Sequence, residues 1–410
     1  MRAVCARRDS AKHIAIDPQA EREEMARRLP AAVQPFLTWL TALPAPGSGH
    51  AQGGPLRYIA AAIAWLVAGT ALSAAAVVHG GGLVALLPLG MVATTAGMGL
   101  LQAVVYHHCA HGTVLATRRA NRALGRFLSL LLLIKDFDVY QREHMAHHNP
   151  KKLLEGDDEF AAYLSRFIGI VPGMSRRESW RRVLWSFVAP AFHARLLAAR
   201  LSACLGAARA RDRAARIGFW LGVVAASCWL GALLPALVAW FVPAAILFQI
   251  ATTLRVLAEH RFPEDEVMAL RDRRFMARAT AGVFPGAPVP RGAAGTIAAA
   301  AAWAVWWFKM LTVHLFSRVF VLVGDAPAHD YHHRRPGSRE WANHIQARSR
   351  DRALGSPGFP ANYIGSLGLF RAIDENLQSI ANARPRIAGG ERSELSAAAA
   401  PPRAPLRLRA

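Results

Sequence analysis

Two long stretches without a charged residue most constrain what this chain can fold into. They are Tyr58–Val78 and Leu83–Tyr106, and a short glycine-rich turn separates them. A helix needs about 20 apolar residues to cross the roughly 30 Å hydrocarbon layer of a membrane. Both stretches meet that requirement, so the sequence predicts a transmembrane helical hairpin.

A third uncharged stretch, Ile217–Leu254, is too long for a single span. As one helix it would extend for roughly 57 Å, almost twice the hydrocarbon thickness. Gly231 and Pro235 interrupt it, and we therefore predict two short spans that form a second hairpin. A further apolar run, Gly292–Phe308, is followed by Lys309. That run is compatible with either a fifth span or a surface or re-entrant helix.

The distribution of positive charge predicts how these spans are oriented. The chain has 49 Lys and Arg residues against 27 Asp and Glu residues, a formal net charge of +22. The two predicted hairpin turns have no Lys or Arg, whereas the segments before, between and after the hairpins are rich in them. The positive-inside rule places those segments, and both termini, in the cytoplasm. No nucleic-acid-binding motif accompanies the charge, so nucleic acid is not an expected partner.

The predicted fold class is all-α: a multi-pass membrane protein with two hairpins, about four spans, and a cytoplasmic helical cap. We divide the chain into an N-terminal cytoplasmic segment and linker (1–57), a membrane domain (58–351), a C-terminal extension (352–383) and a disordered Ala/Pro/Arg-rich tail (384–410). The four cysteines form no C-x-x-C pair, which excludes a disulfide scaffold and a zinc ribbon. The Ala, Arg and Gly bias points to a bacterial source and hence to the inner membrane.

Nine of the 16 histidines fall into three short clusters. The clusters read H-x-x-x-H from His107 to His111, H-x-x-H-H from His144 to His148, and H-x-x-H-H from His329 to His333. Residues three or four positions apart share one face of a helix. With His108 left aside, three such faces present eight imidazoles, more than one first-row metal ion binds. The pattern predicts a pair of redox metal ions, although imidazole suits iron, zinc and copper about equally.

The two predicted hairpins bring the three clusters to the same side of the membrane. The first cluster follows the second span, the second lies in the cytoplasmic loop, and the third follows the second hairpin. A single additional span at Gly292–Phe308 would place the third cluster on the opposite side. We therefore prefer a surface or re-entrant helix for that run.

These motifs resemble the three histidine boxes of the integral-membrane fatty acid desaturases and their hydroxylase relatives. The resemblance covers roughly Tyr58 to Asp351. The first box is similar to the family's His-Asp/Glu-Cys-x-His-Gly, with His108 in place of the acidic residue. The second box is also similar, and so is the acidic pair that follows it, Asp157-Asp158. The third box is similar too, with Ala328 in place of the usual Gln or Asn.

The resemblance implies two irons, dioxygen as co-substrate, and a ninth histidine near the end of the last hairpin. His260 is the candidate for that ninth ligand, with His314 and His344 as alternatives. The implied metal ligands are His107, His111, His144, His147, His148, His260, His329, His332 and His333. Acceptors that could orient these imidazoles are Glu143, Asp157, Asp158 and Asp330, together with Asp136, Asp138 and Glu159.

The expected function is the introduction of a double bond into a fatty acyl chain of a membrane lipid. A hydroxylase or ketolase of fatty acids, carotenoids or alkanes is the alternative on the same scaffold. Alkane hydroxylases usually carry one more residue in the second box, which the spacing from His144 to His147 lacks. A non-redox metal transporter is a third possibility, but the spans almost lack the ionisable residues that transporters place there. The resemblance also implies a separate electron donor, a ferredoxin, rubredoxin or cytochrome, with its reductase.

Overall fold

The computed structural model describes residues 16–48, 53–206, 209–292 and 297–384. The predicted tail lies outside these residues, apart from Arg384. Almost all regular structure in the described part is helical, as predicted. The one exception is a parallel pair of three-residue strands, Gly282–Phe284 and Gly365–Leu367.

The helices comprise α-helical segments and shorter 3₁₀ and π turns that often continue one another. In chain order they are Pro18–Arg28, Ala31–Val33, Gln34–Thr41, Pro55–His79, Gly81–Leu86, Leu87–Gly99, Leu100–Tyr106, His107–His111, Arg118–Leu132, Phe137–His147, Glu159–Tyr163, Leu164–Ile168, Arg176–Val188, Pro190–Leu205, Ala210–Trp229, Leu233–Ala236, Leu237–Phe241, Pro243–Leu247, Phe248–Glu259, Asp265–Leu270, Arg273–Ala279, Ile297–Lys309, Met310–His314, Ser317–Val321, Ala326–Ala328, His329–Arg334, Trp341–Asn343, His344–Ala353 and Leu369–Asn382.

The first hairpin pairs Pro55–His79 with the continuous helical stretch Gly81–His111. Small residues let the two backbones approach closely, as is common where helices pack within a membrane. A Cβ added to Gly69 would lie only 2.3 Å from the backbone nitrogen of Thr94. The hairpin therefore depends on glycine at this crossing.

The second hairpin joins Ala210–Trp229 to Leu233–Glu259. The break falls where the sequence predicts it, and Gly231 adopts a left-handed conformation there, with φ 64°, which glycine tolerates best. Leu233–Glu259 is long and apolar enough to cross a membrane. The first helix begins with a charged turn that includes Arg211, Asp212 and Arg213, and only its later part is uncharged.

Four helices in the described part of the chain are long and apolar enough to cross a membrane: Pro55–His79, Gly81–His111, Leu233–Glu259 and Ile297–Val321. The last of these packs against the N-terminal segment near its middle and against Leu87–Gly99 and Phe248–Glu259 near its end. Its Trp306 and Met310 form one apolar cluster with Met25, Leu37 and Leu40. The N-terminal helix Gln34–Thr41 thus has a buried apolar face.

The predicted C-terminal extension packs directly behind the last helix of the second hairpin. Its helix Leu369–Asn382 buries Ile373 and Leu377 in the largest apolar cluster, together with Leu257. Asn376 is fully buried and donates a hydrogen bond to the Leu257 carbonyl oxygen at 2.6 Å. This contact fixes the end of the span from which His260 follows.

Candidate metal centre

Three short helices present the histidine boxes. The first, His107–His111, continues the second helix of the first hairpin. The second, Phe137–His147, begins at Asp136, whose side chain accepts hydrogen bonds from the first-turn backbone N–H groups and so caps the helix. The third, His329–Arg334, is buried along its whole length. In each box the two histidines four positions apart point the same way, whereas His147 and His332 point toward a different set of ligands.

Five imidazoles converge into one group: those of His107, His111, His144, His148 and His332. Their Nε2 atoms are the converging atoms. The separations are 3.0 Å between His111 and His144, 3.1 Å between His144 and His148, 3.0 Å between His148 and His332, and 2.6 Å between His107 and His332. We call this set the five-histidine group.

Four further imidazoles form a second, adjacent set: those of His147, His260, His329 and His333. All four are buried. The Nε2 atom of His260 lies 3.1 Å from that of His147, 3.3 Å from that of His329 and 3.4 Å from that of His333. We call this set the four-histidine group.

These separations fit shared coordination of a metal ion. A metal–imidazole bond is about 2.1 Å long, so two ligands at 90° to one ion lie about 3.0 Å apart, and two at the tetrahedral angle about 3.4 Å apart. Most of the measured distances fall in this interval. Each group can therefore hold one metal ion, and together they contain all nine histidines that the resemblance implies.

Carboxylates orient two of the imidazoles by accepting hydrogen bonds from Nδ1, the ring nitrogen that faces away from the converging Nε2 atoms. His147 donates from Nδ1 to Asp158 at 2.6 Å, and His144 donates from Nδ1 to Glu159 at 3.1 Å. The proton on Nδ1 leaves Nε2 free to bind a metal ion, the arrangement typical of metal-binding histidines. The hydroxyl of Tyr140 lies 3.4 Å from Nδ1 of His107.

Burial sets the protonation state of most of these side chains. The pKa values of His148, His260, His332 and His333 lie well below the ordinary value because the rings are buried and other imidazoles surround them. These rings are therefore neutral at pH 7, the form that binds metals. His147 is the exception: burial acts to lower its pKa, but the hydrogen bond and charge of Asp158 raise it overall.

Five of the carboxylates singled out in the sequence have other partners. Asp157 is exposed and faces Lys152, while Glu143 pairs with Lys135 at the surface. Asp330 is buried and accepts hydrogen bonds from the Arg348 guanidinium. Asp136 caps the second-box helix and also pairs with Arg216, and Asp138 pairs with Arg122 and Arg126.

Sequence reasoning did not identify Asp325 or Glu259 as part of this region. One oxygen of Asp325, Oδ2, lies 2.8 Å from Nε2 of His108 and 2.9 Å from Nδ1 of His344. Glu259 lies 3.8 Å from Nδ1 of His329. The position of Glu259 immediately before His260 could have indicated from the sequence that it lies near the metal centre. No neighbouring residue gives such an indication for Asp325.

The three candidates for the ninth ligand occupy different places. His260 belongs to the four-histidine group, whereas His344 lies with His108 and His332 in a separate cluster. His314 is buried near Gly368, away from both groups.

The position of these histidines also limits how the chain crosses the membrane. His111 and His260 are on the same side, so the chain between them crosses an even number of times. Leu233–Glu259 supplies one crossing, and Ala210–Trp229 is the helix available for the other. His260 and His329 are likewise on one side, yet the described residues between them contain a single long apolar helix, Ile297–Val321. That helix therefore does not cross the membrane alone.

The fold and the site together define a helical membrane protein with a histidine-rich metal centre. A family model described as fatty acid desaturase matches residues 82–289, just over half of the chain. The chain belongs to the fatty acid desaturase family. The matched region includes the first two boxes and His260, while the third box lies beyond it and joins the same centre through the tertiary fold. Comparisons with curated proteins and with solved structures gave no match.

Proposed function

We propose that this protein is a membrane-bound, dioxygen-dependent desaturase that introduces a double bond into the fatty acyl chain of a lipid. The observation that carries the proposal is the pairing of the five-histidine and four-histidine groups, in a chain of the desaturase family. Nine imidazoles with few carboxylates suit a pair of redox-active first-row metal ions. We propose two irons, with the nine histidines as their ligands.

When bound, two irons would activate dioxygen, the oxidant, which with two electrons from the external donor and two protons would remove two hydrogens from an unactivated carbon chain and form two waters. The protein's part is to hold and orient the centre. Asp158 and Glu159 hold the protons on Nδ1 of His147 and His144, which keeps each Nε2 directed inward. The buried third-box helix keeps bulk water away from the two groups.

A cavity beside the centre is of the right kind for an apolar chain. Its volume is about 800 Å³, and it lies between the N-terminal segment, the first hairpin and residues 318–325. Its apolar wall includes Ala61, Trp65, Ala96, Leu100, Val319 and Val323. Asp325 and His344 are among its polar lining residues, and Asp325 is next to His108. The cavity thus leads toward the centre, which supports a membrane-embedded acyl substrate.

The orientation and partners belong to the same proposal. The Arg-rich segments favour a cytoplasmic metal centre with both termini on that side, in a bacterial inner membrane. The chain would receive electrons from a separate ferredoxin, rubredoxin or cytochrome and its reductase. The site would act on acyl chains held in the bilayer.

A hydroxylase or ketolase remains the second candidate function. The same donor set would serve insertion of oxygen as well as removal of hydrogen. The cavity is lined by polar as well as apolar residues, among them Asp325 and His344, which suits a product that carries a new hydroxyl or keto group. A non-redox transporter is less favoured, because the nine imidazoles lie at or beyond the ends of the spans.

Mass spectrometry of lipids and pigments from cells that express the wild type or the His147→Ala variant tests the proposal. A loss of two hydrogens from an acyl chain, seen only with the wild type, is the expected result. A gain of one oxygen would instead establish the hydroxylase or ketolase. The host must co-express a ferredoxin and its reductase; with that donor present and iron bound, an unchanged profile would contradict both reactions.

A further inference from the structure

A third cluster of buried ligands lies beside the two groups and is not used by the proposed reaction. It consists of His108, His344 and Asp325, with His332 at its edge. The two histidines are each about 1% exposed. His108 replaces the acidic residue that the family's first box usually carries, so the cluster is a specific feature of this chain.

The donor atoms of this cluster are arranged as ligands of one ion. Asp325 Oδ2 lies 2.8 Å from His108 Nε2 and 2.9 Å from His344 Nδ1. Two ligands bound at about 2.1 Å and 90° to one ion lie about 3.0 Å apart. One ring nitrogen each of His108, His332 and His344 lies within 4.8 Å of the others.

Hydrogen bonding accounts for only part of the cluster, since His108 Nε2 can donate to Asp325 Oδ2 at 2.8 Å. Neither ring nitrogen of His344 has a hydrogen-bond partner of acceptable geometry, although both are fully buried. Nδ1 of His108 is buried and unpartnered as well. Buried polar atoms nearly always have a partner, so such a group needs an explanation, and an ion is one of the usual ones.

The charge of the cluster favours a cation. Among the described residues, the only groups within ion-pair distance of Asp325 are His108 and His344. Neither of these neighbours carries a permanent positive charge, so a divalent ion would compensate the buried carboxylate.

We propose that His108, His344 and Asp325 form a third metal site, distinct from the two histidine groups. Two histidines and one carboxylate form a ligand set that suits iron(II), and zinc binds to the same donor types. The cavity described above reaches this site, since Asp325 and His344 line it. The ion can therefore enter from the cavity without passing through either histidine group. This inference does not rest on the reaction proposed above.

Metal counting on the purified full-length protein tests the third site. The protein in detergent is loaded with Fe²⁺, desalted, exposed to Zn²⁺, desalted again and analysed for both metals by mass spectrometry. The wild type is expected to retain about three metal ions per chain in total. A total of two for the wild type would overturn the proposal, whatever the variants do.

Two variants locate the third ion. His344→Ala and Asp325→Asn are each expected to lower the total to about two, with the loss of one ion and the retention of the other two. His79→Ala, at the exposed far end of the first hairpin, is the control and should retain three. Retention of three ions by both cluster variants would assign the extra ion to another place and contradict the proposal. Three ions without any lipid product would refute the proposed reaction and leave the third site standing.

Discussion

Nε2 of His147 lies 3.1 Å from Nε2 of His260, although the two residues are 113 positions apart. His147 belongs to a loop helix between the hairpins, and His260 follows the last residue of the second hairpin. Their contact connects the helical cap to the end of an apolar helix that is long enough to cross a membrane. The four-histidine group therefore exists only when the second hairpin and the loop helix are both in place.

Removal of His147 is expected to empty the four-histidine group. His147→Ala leaves three imidazoles there and frees Asp158 from its partner. We expect the iron content to fall by about one ion per chain, and activity to be lost. Membrane insertion should be unchanged, because His147 lies outside the spans. Metal analysis of membrane-extracted protein measures this, with His79→Ala as the control; an iron content equal to that of the wild type would contradict the ligand assignment.

Two neighbouring aspartates offer a matched test of whether a carboxylate orients His147 for metal binding. Asp158 accepts from His147 at 2.6 Å, whereas the adjacent Asp157 side chain is 73% exposed. Asp158→Asn should weaken metal binding about 10- to 100-fold, since a neutral amide accepts less strongly than a carboxylate. Asp157→Asn should have no effect. Competition with a chelator measures both affinities, and equal affinities for the two variants would show that Asp158 does not orient His147.

The metal-free protein should lose stability as the pH falls below about 6.5. Burial lowers the folded-state pKa of His148, His260 and His333, so the unfolded chain binds more protons in this range. For each such imidazole, the free energy of unfolding at pH 5.5 is about 1.4 kcal/mol lower than at pH values well above 6.5. Thermal unfolding of the metal-free protein at pH 7.5 and 5.5 measures the change.

Single variants show how much these imidazoles contribute to the pH dependence of stability. His333→Gln should reduce the loss of stability between the two pH values, whereas His79→Gln should not. A wild-type melting temperature that is the same at both pH values would mean that these rings are not held neutral.

Two glycines test the close approach in the first hairpin. A Cβ on Gly69 would lie 2.3 Å from the Thr94 nitrogen, while a Cβ on Gly222, in the second hairpin, meets nothing within 4 Å. Gly69→Ala forces the helices apart and should destabilise the fold by about 1–3 kcal/mol. Gly222→Ala should be neutral or slightly stabilising. The melting temperatures of the two variants are measured in the same detergent. Equal values would argue against the close approach of the two helices at Gly69.

The even number of crossings predicts which positions share a side of the membrane. With the native cysteines replaced, single cysteines at Gly82 and Arg339 provide reporters, both of which are exposed. A membrane-impermeant thiol reagent should label Gly82→Cys from outside intact cells and Arg339→Cys only after lysis. Labelling of both from outside would place the third box on the wrong side for a shared metal centre.

Much of the fold was encoded locally in the sequence. The uncharged stretch Tyr58–Val78 and the break at Gly231 predicted both hairpins, because a helix in hydrocarbon satisfies its own backbone hydrogen bonds and needs little else. The spacing predicted correctly that the histidines four positions apart in each box point the same way, but not that His147 and His332 face the other group. Those properties depend on neighbours within a few residues, and a single sequence contains them.

Only the tertiary structure divided the histidines into groups of five and four. His147 and His148 are adjacent in the sequence, yet they face different groups because neighbouring positions on a helix point about 100° apart. The choice of Asp158 over Asp157, and the meeting of Asp325 with His108 and His344, likewise depended on how distant helices pack. Helical periodicity gives the direction of each side chain, but the distances between helices come from the packing of the whole chain.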